Sequence, residues 1–303
     1  MFLPLMGYVP DPDATARFVS SLPMPTMADA GGDLAESTTD VMLYPALLSC
    51  DPQWRRGSQG IGSCVGWGWS LAVDLLASAD VICRRENESY GGRTLEASVY
   101  AFARVETAGG RPAGMSDGSY GAAAARAVQF GTLHYGIDYG GQQFDTYSAN
   151  REKTWGNTGV PNELEPFAKE HRVQTTTLVR SFAEAAKAIG SAICPVPVCS
   201  GQGFSMKRDA DGFCKPQGKW NHCMCFAGVR HGKRPGLLCV NSWGASNSGP
   251  HYPASMPETV AECSFWVDAD VCDSMLGGDD SFSIAGFDGF APRRLPDWLG
   301  GII

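Results

Sequence analysis

What this chain lacks narrows its function before any motif is considered. It has no run of Lys or Arg, and its 24 basic residues are outnumbered by 32 acidic ones, for a formal charge of −8. An acidic chain without a basic patch does not attract a phosphate backbone, so nucleic acid is not an expected partner. Long apolar runs are also missing. The stretch Met1-Phe-Leu-Pro-Leu-Met-Gly-Tyr-Val-Pro10 is apolar but short, has no basic start, and is interrupted by Pro4 and Pro10. It fails as a secretory signal, and no segment approaches the roughly 20 apolar residues expected of a membrane span. Internal repeats and low-complexity tracts are absent. Charged residues are sparse, 18% against 44% hydrophobic, which is ordinary for a globular protein. The 303 residues suffice for one large domain, or for two lobes sharing a cleft.

Cysteine, by contrast, is plentiful. An odd count of 11 leaves at least one thiol unpaired within a monomer. Without an export signal, reduced thiols and a cytoplasmic or otherwise reduced compartment are expected, rather than a disulfide framework. The chain starts at a methionine, and the expectation from that start is that no pro-segment has been removed.

Residues 1–50 are rich in Pro, Asp, Ser, Thr, Ala and Gly with weak periodicity, and read as an extended arm on the body. From Cys64, apolar residues Val65, Trp69, Ala72, Val73 and Leu76 fall on one helical face, with Leu71 and Leu75 on another. The spacing predicts a helix buried nearly all round. Gly66 and Gly68 within it each cost about 1 kcal/mol relative to Ala, which implies a very close neighbour. Further helices are expected over 94–107, over 122–130 with Ser119 as cap, and near 162–170 and 181–190. Residues 134–160 read as loop. Strands are expected at Ile193–Cys199, Trp220–Arg230, Leu237–Asn241 and Ser264–Asp268, with 231–236 turning a hairpin. Helices first and strands second is an α+β layout. The expected division is an arm over 1–50, a helical lobe over about 51–190, a β lobe over about 191–275, and a peripheral tail over 276–303.

Two segments carry the chemistry. Gly60-Ile-Gly-Ser-Cys64 delivers a cysteine to a helix start, where free N–H groups and the helix dipole favour a thiolate. Downstream, Trp220-Asn-His222-Cys-Met-Cys-Phe226 alternates His222, Met224 and Phe226 onto one face. If Arg230 pairs with Leu237, Asn241 lies opposite Phe226 and shares the side of His222; a one-residue slip would undo this. A histidine takes the thiol proton and returns it to a leaving amine, and an amide on its other nitrogen fixes tautomer and orientation. Each segment also has a plain reading, a buried core cysteine and a satisfied strand histidine.

Together, Gly62-Ser63-Cys64, Asn221-His222 and Asn241-Ser242-Trp243-Gly244 resemble the papain-like (C1) cysteine peptidases, closer to bacterial and viral members. Asp117-Gly-Ser-Tyr120, Ala192-Ile-Cys-Pro-Val-Pro-Val198 and Cys263-Ser-Phe-Trp266-Val extend the likeness over roughly 50–275. The resemblance implies a two-lobed fold and a peptide or protein substrate without cofactor or metal. It further implies Cys64 as nucleophile, His222 as general acid/base, Asn241 as its orienter, and Ser63 and Trp243 in support. The family's oxyanion glutamine lies six residues before the nucleophile, where this chain has Ser58; Gln59, one residue nearer, is the candidate. The family's usual cysteine three residues before the nucleophile is Ile61 here. Zinc on His222, Cys223, Cys225 and Cys239 is disfavoured, because a one-residue spacer in a strand sends both thiols away from His222. Two alternatives share the fold: a structural or binding component of an assembly such as a virion, engaged through the two tails, and acyl transfer through the same thioester.

Overall fold

The computed structural model describes residues 5–30, 37–84, 88–107, 117–289 and 291–292. Helices dominate the first half: α1 (Pro12–Val19), α2 (Tyr44–Cys50), α3 (Cys64–Ala79), α4 (Glu96–Arg104), α5 (Gly121–Phe130), α6 (Ala149–Thr158) and α7 (Phe182–Gly190). Strands dominate the second half. After β1 (Val41–Met42) and β2 (Val173–Leu178) come β3 (Val196–Arg208), β4 (Cys214–Arg230), β5 (Gly236–Val240), β6 (Ser264–Asp268) and β7 (Phe282–Phe287), with helix α8 (Ala269–Leu276) before the last. The main sheet runs β1-β4-β5-β6, and β3 pairs antiparallel with β4 in a long irregular hairpin. The architecture is the expected α+β arrangement.

Every residue of α3 is buried. By length and composition, Cys64–Cys83 would pass for a membrane span, contrary to the expectation that no segment comes near. It is instead the central core helix, 94% buried. Its glycines have the close neighbours their cost implied. A Cβ on Gly66 would lie 2.8 Å from the Tyr100 Cβ, and one on Gly68 would lie 2.9 Å from both the Cys223 Sγ and the Met224 carbonyl oxygen. Gly66 thus seats α4 against α3, and Gly68 seats the His222 strand against the same helix.

Several local expectations change. Residues 149–158, read as loop, form α6, capped by the Ser148 hydroxyl on the Arg151 N–H. That helix buries only Glu152, Trp155 and Gly156, too little apolar surface to leave a periodic signal. Within 1–50, α1 and α2 are helical, and extended chain is found at Leu5–Asp11. Within the stretch expected as a tail, β7 pairs with β2 and buries Phe282, Ile284 and Phe287. Residues 293–303 lie outside the described residues. Helix α5 is not capped by Ser119. The Asp280 carboxylate, distant in sequence, accepts from the N–H groups of Gly121 and Ala122, both at 2.7 Å. The 220–241 hairpin forms one residue out of the expected register, with Val229 opposite Leu237. An irregularity between Phe226 and Gly228 adds a second shift, so Cys225 faces Val240. Two slips restore the original parity, and Asn241, just beyond β5, stays on the His222 side.

Candidate active site

The Cys64 sulfur sits at the first turn of α3, and the backbone N–H of Cys223 donates to it at 3.4 Å. Since Cys223 follows His222 directly, two segments far apart in sequence meet at this sulfur. The His222 Nε2 lies 2.8 Å from the Asn241 Oδ1, and the indole of Trp243 stacks on the imidazole with ring centroids 4.4 Å apart. Trp220 packs edge-on against both rings. Cys64, His222 and Asn241 are all fully buried. The His222 Nδ1 has no hydrogen-bond partner. A buried ring nitrogen left open, one residue before the N–H that meets the Cys64 sulfur, is an available proton acceptor.

The Gln59 side chain reaches the same place. Its Oε1 accepts from the Ser242 hydroxyl at 2.5 Å, and its Nε2 donates to the carbonyls of Ile61 (2.9 Å) and Leu5 (3.2 Å). Trp243 Nε1 donates to that same Leu5 carbonyl at 3.1 Å. Ser63 does not cap α3 with its side chain, which turns instead to the rear.

The Leu5 contact belongs to a larger feature. Leu5 to Val9 form a strap across the site. The N–H groups of Gly7 and Tyr8 donate to the Asn221 carbonyl at 3.2 and 3.1 Å, and Tyr8 bridges in parallel to Ser119. The Gly7 N–H is among the backbone groups that favour the Cys64 thiolate. A Cβ on Gly7 would lie closer to the Gly62 carbonyl oxygen than any side chain can, so glycine is required for this approach. Sequence reading took this stretch only as part of an arm, because nothing local marks where it docks.

Burial governs the electrostatics. Removed from water and set beside Cys223, the Cys64 thiol is pushed well above its usual range, despite N–H groups that favour the thiolate. Burial likewise lowers His222 to about 4, against the opposing hydrogen bond it donates to the Asn241 Oδ1. The expected dipole effect is therefore outweighed while the strap is in place, and the pair rests as neutral thiol and neutral imidazole.

Behind the site lies a polar layer that sequence reading missed. The Glu152 carboxylate, fully buried, accepts from Ser63 Oγ (2.9 Å), Trp67 Nε1 (3.0 Å) and Tyr147 OH (2.7 Å). The Tyr147 oxygen in turn accepts from the Gly60 N–H at 2.7 Å. Arg56 donates to the Asn241 carbonyl at 3.1 Å and the Trp67 carbonyl at 2.8 Å. The loop bearing Gln59 and Cys64 is held from the rear at both ends. Only its Gly-rich composition hinted that a particular path was required. Among the described residues, no three His, Cys, Asp or Glu side chains converge as metal ligands. None of the eleven cysteines is in a disulfide.

No family profile and no curated protein matches the chain. Solved structures do. Xylellain, a cysteine protease from Xylella fastidiosa, superimposes with a TM-score of 0.52 at 13% identity, over 94% of each chain. The digestive procathepsin L2 proteinase of the Tenebrio molitor larval midgut gives 0.53 at 12% identity, over 93% of this chain and 78% of its own. At these identities the likeness is one of fold. With Cys64 at the tip of its central helix and His222 on the facing sheet, the chain has the fold of the papain-like cysteine proteases.

Proposed function

We propose that this protein is a cysteine-type peptidase that rests in a latent, strapped state. The observation that carries the reading is that the Cys223 N–H meets the Cys64 sulfur, while the residue directly before it, His222, has one open ring nitrogen and an amide on the other. In the reaction, His222 Nδ1 takes the Cys64 proton and the thiolate attacks the substrate carbonyl carbon. The Gln59 Nε2, freed from the Leu5 carbonyl, donates to the oxyanion. The C–N bond breaks as His222 returns the proton to the leaving amine. Water, deprotonated by His222, then splits the thioester and restores the thiol. Asn241 holds the ring throughout, as carboxylates do in serine triads.

The strap must leave first, because it covers the sulfur and occupies the Gln59 amide. Procathepsin L2, one of the structures of similar fold, is itself a proenzyme. A second reading, a papain-like scaffold that binds without cleaving, draws on the complete burial of Cys64, His222 and Asn241 under the protein's own chain.

Gly7→Ala separates the two readings. The added methyl cannot fit against Gly62, so the strap lifts. Iodoacetamide should then label Cys64 at a rate approaching that of exposed Cys83, whereas in the wild type Cys64 lags far behind. Peptide hydrolysis should appear with that labelling and vanish in Gly7→Ala/Cys64→Ala. A Gly7→Ala protein whose Cys64 labels quickly but which cleaves no peptide leaves the scaffold reading standing.

A further inference from the structure

Two cysteine side chains that take no part in the proposed reaction stand directly across from each other. In the antiparallel pairing of β3 with β4, Cys199 is opposite Cys223. Among the described strands no other cysteine is opposite a cysteine. Directly opposed residues point to the same face of a sheet. Both side chains are buried. The Cys223 sulfur lies against α3, where a Cβ on Gly68 would come within 2.9 Å of it.

Antiparallel positions alternate between pairs that exchange their backbone hydrogen bonds and pairs that do not, and the second kind brings side chains closest. The Cys199 N–H donates to the Ser281 Oγ at 3.1 Å, and the Cys223 N–H donates to the Cys64 sulfur at 3.4 Å. Each N–H points away from the opposite strand, so this pair is of the second kind. Opposed Cα atoms in such a pair are about 4.5 Å apart, inside the range of roughly 4.4–6.8 Å that a disulfide spans. Just beyond, the register shifts between Ser200 and Gln202, which gives β3 slack to bring the two sulfurs into bonding range. His222, opposite Ser200, closes the regular part of the ladder. A bond between Cys199 and Cys223 pins the irregular hairpin at its base, one residue from the His222 ring.

We propose that Cys199 and Cys223 are a redox modification site, joined by peroxide into a reversible disulfide that staples the His222 strand to β3. Hydrogen peroxide converts one thiol to a sulfenic acid and releases water; the second thiol attacks that sulfur and expels a second water. Two thiols and one peroxide thus give one disulfide and two waters, and a dithiol reductant reverses the change by exchange. The staple forms without consuming the Cys64 sulfur, so the strand beside the nucleophile is fastened while the nucleophile stays free. This inference stands on strand geometry and does not depend on the peptidase reading.

Two measurements on the full chain test it, both in a Cys64→Ser background so that oxidation of the nucleophile does not intrude. The first is peptide mapping by mass spectrometry without reduction, after hydrogen peroxide, in Cys64→Ser and in Gly7→Ala/Cys64→Ser with its strap lifted. A peptide pair joined through Cys199 and Cys223 should appear, and dithiothreitol should restore both thiols. If neither protein gives that link, or if peroxide carries either cysteine to sulfinic acid instead, the proposal is overturned. The second is thermal unfolding. Oxidation should raise the midpoint by roughly 5 °C, the scale of one disulfide across a short loop in a chain of this size. Cys199→Ala/Cys64→Ser, compared with its own reduced form, should show no rise; a rise that survives there overturns the proposal. A mapped link in a chain whose Gly7→Ala form cleaves no peptide removes the peptidase reading and keeps the staple.

Discussion

The front and the rear of the α3 tip are built on opposite rules. At the front, the His222 Nδ1 and the Asn241 Nδ2 are buried without hydrogen-bond partners, and the Cys64 sulfur accepts from the Cys223 backbone N–H. At the rear, the Glu152 oxygens hold three donors, and Arg56 is bonded to two carbonyls. Buried polar atoms without partners are costly, and under the proposed function the two at the front are where a reacting molecule supplies the missing contacts. The satisfied rear keeps the unsatisfied front in place. The strap covers the front with backbone groups and one side chain, contacts that are reversible.

Breaking the front should cost turnover, and breaking the rear should cost stability. In the Gly7→Ala background, His222→Ala should lower kcat by about 10⁶, the scale of losing the base from a catalytic triad, with little change in thermal unfolding. Gln59→Ala should lower kcat by about 10²–10³, the usual loss for one oxyanion donor, with KM largely unchanged. A Gln59→Ala enzyme with normal kcat would mean that another donor serves. Glu152→Ala should reduce unfolding free energy by about 2–4 kcal/mol, measured by urea denaturation, because buried donors on Ser63, Trp67 and Tyr147 lose their acceptor. Glu152→Gln, which keeps an acceptor oxygen, should lose less than half of that. A large loss of turnover in Glu152→Gln at unchanged stability would show that the two sides are not separable.

How much of this was legible depended on whether the signal was local. Cys64 at a glycine-rich helix start, and Asn241-Ser-Trp-Gly, are short patterns with strong chemical meaning, and the sequence placed them without knowledge of the fold. The strand parity linking His222 to Asn241 was also readable, although it survived only because a register slip and an irregularity cancel. Glu152, Asp280 and Tyr8 were not readable. Glu152 lies on a polar helix with little apolar periodicity. Asp280 caps a helix whose first residue, Gly121, precedes it by more than half the chain. Tyr8 sits in a stretch with no periodicity at all. Each acts through contacts between residues far apart in sequence, which composition and spacing do not encode.

The two sides also titrate in opposite directions, which gives the smallest but most diagnostic effect. Burial raises Glu152 to about 8 and Asp74, at the rear of α3, to about 7. A carboxyl whose folded value lies above its unfolded one binds more protons in the folded state. Between the two values its contribution to stability therefore falls as pH rises. Burial lowers His222, and also His134 beside His171, to about 4. These histidines bind fewer protons folded than unfolded, so their contribution is full above about 6.5 and is lost as pH falls toward 4. Above pH 6.5 the histidines are silent and the carboxyls dominate, so stability should decline from pH 6.5 to 8, at up to about 1.4 kcal/mol per pH unit per group. Below 6.5 the opposing slopes should flatten the curve, placing the maximum near pH 6. Urea denaturation at pH 5, 6.5 and 8 reads this directly. Glu152→Gln should remove one declining slope across the whole range from pH 5 to 8, and His134→Asn should raise only the acid limb. A wild-type maximum above pH 8 would mean that the buried carboxyls at the rear are ionised in the folded protein, and that the contrast between the two sides is one of hydrogen bonding without charge.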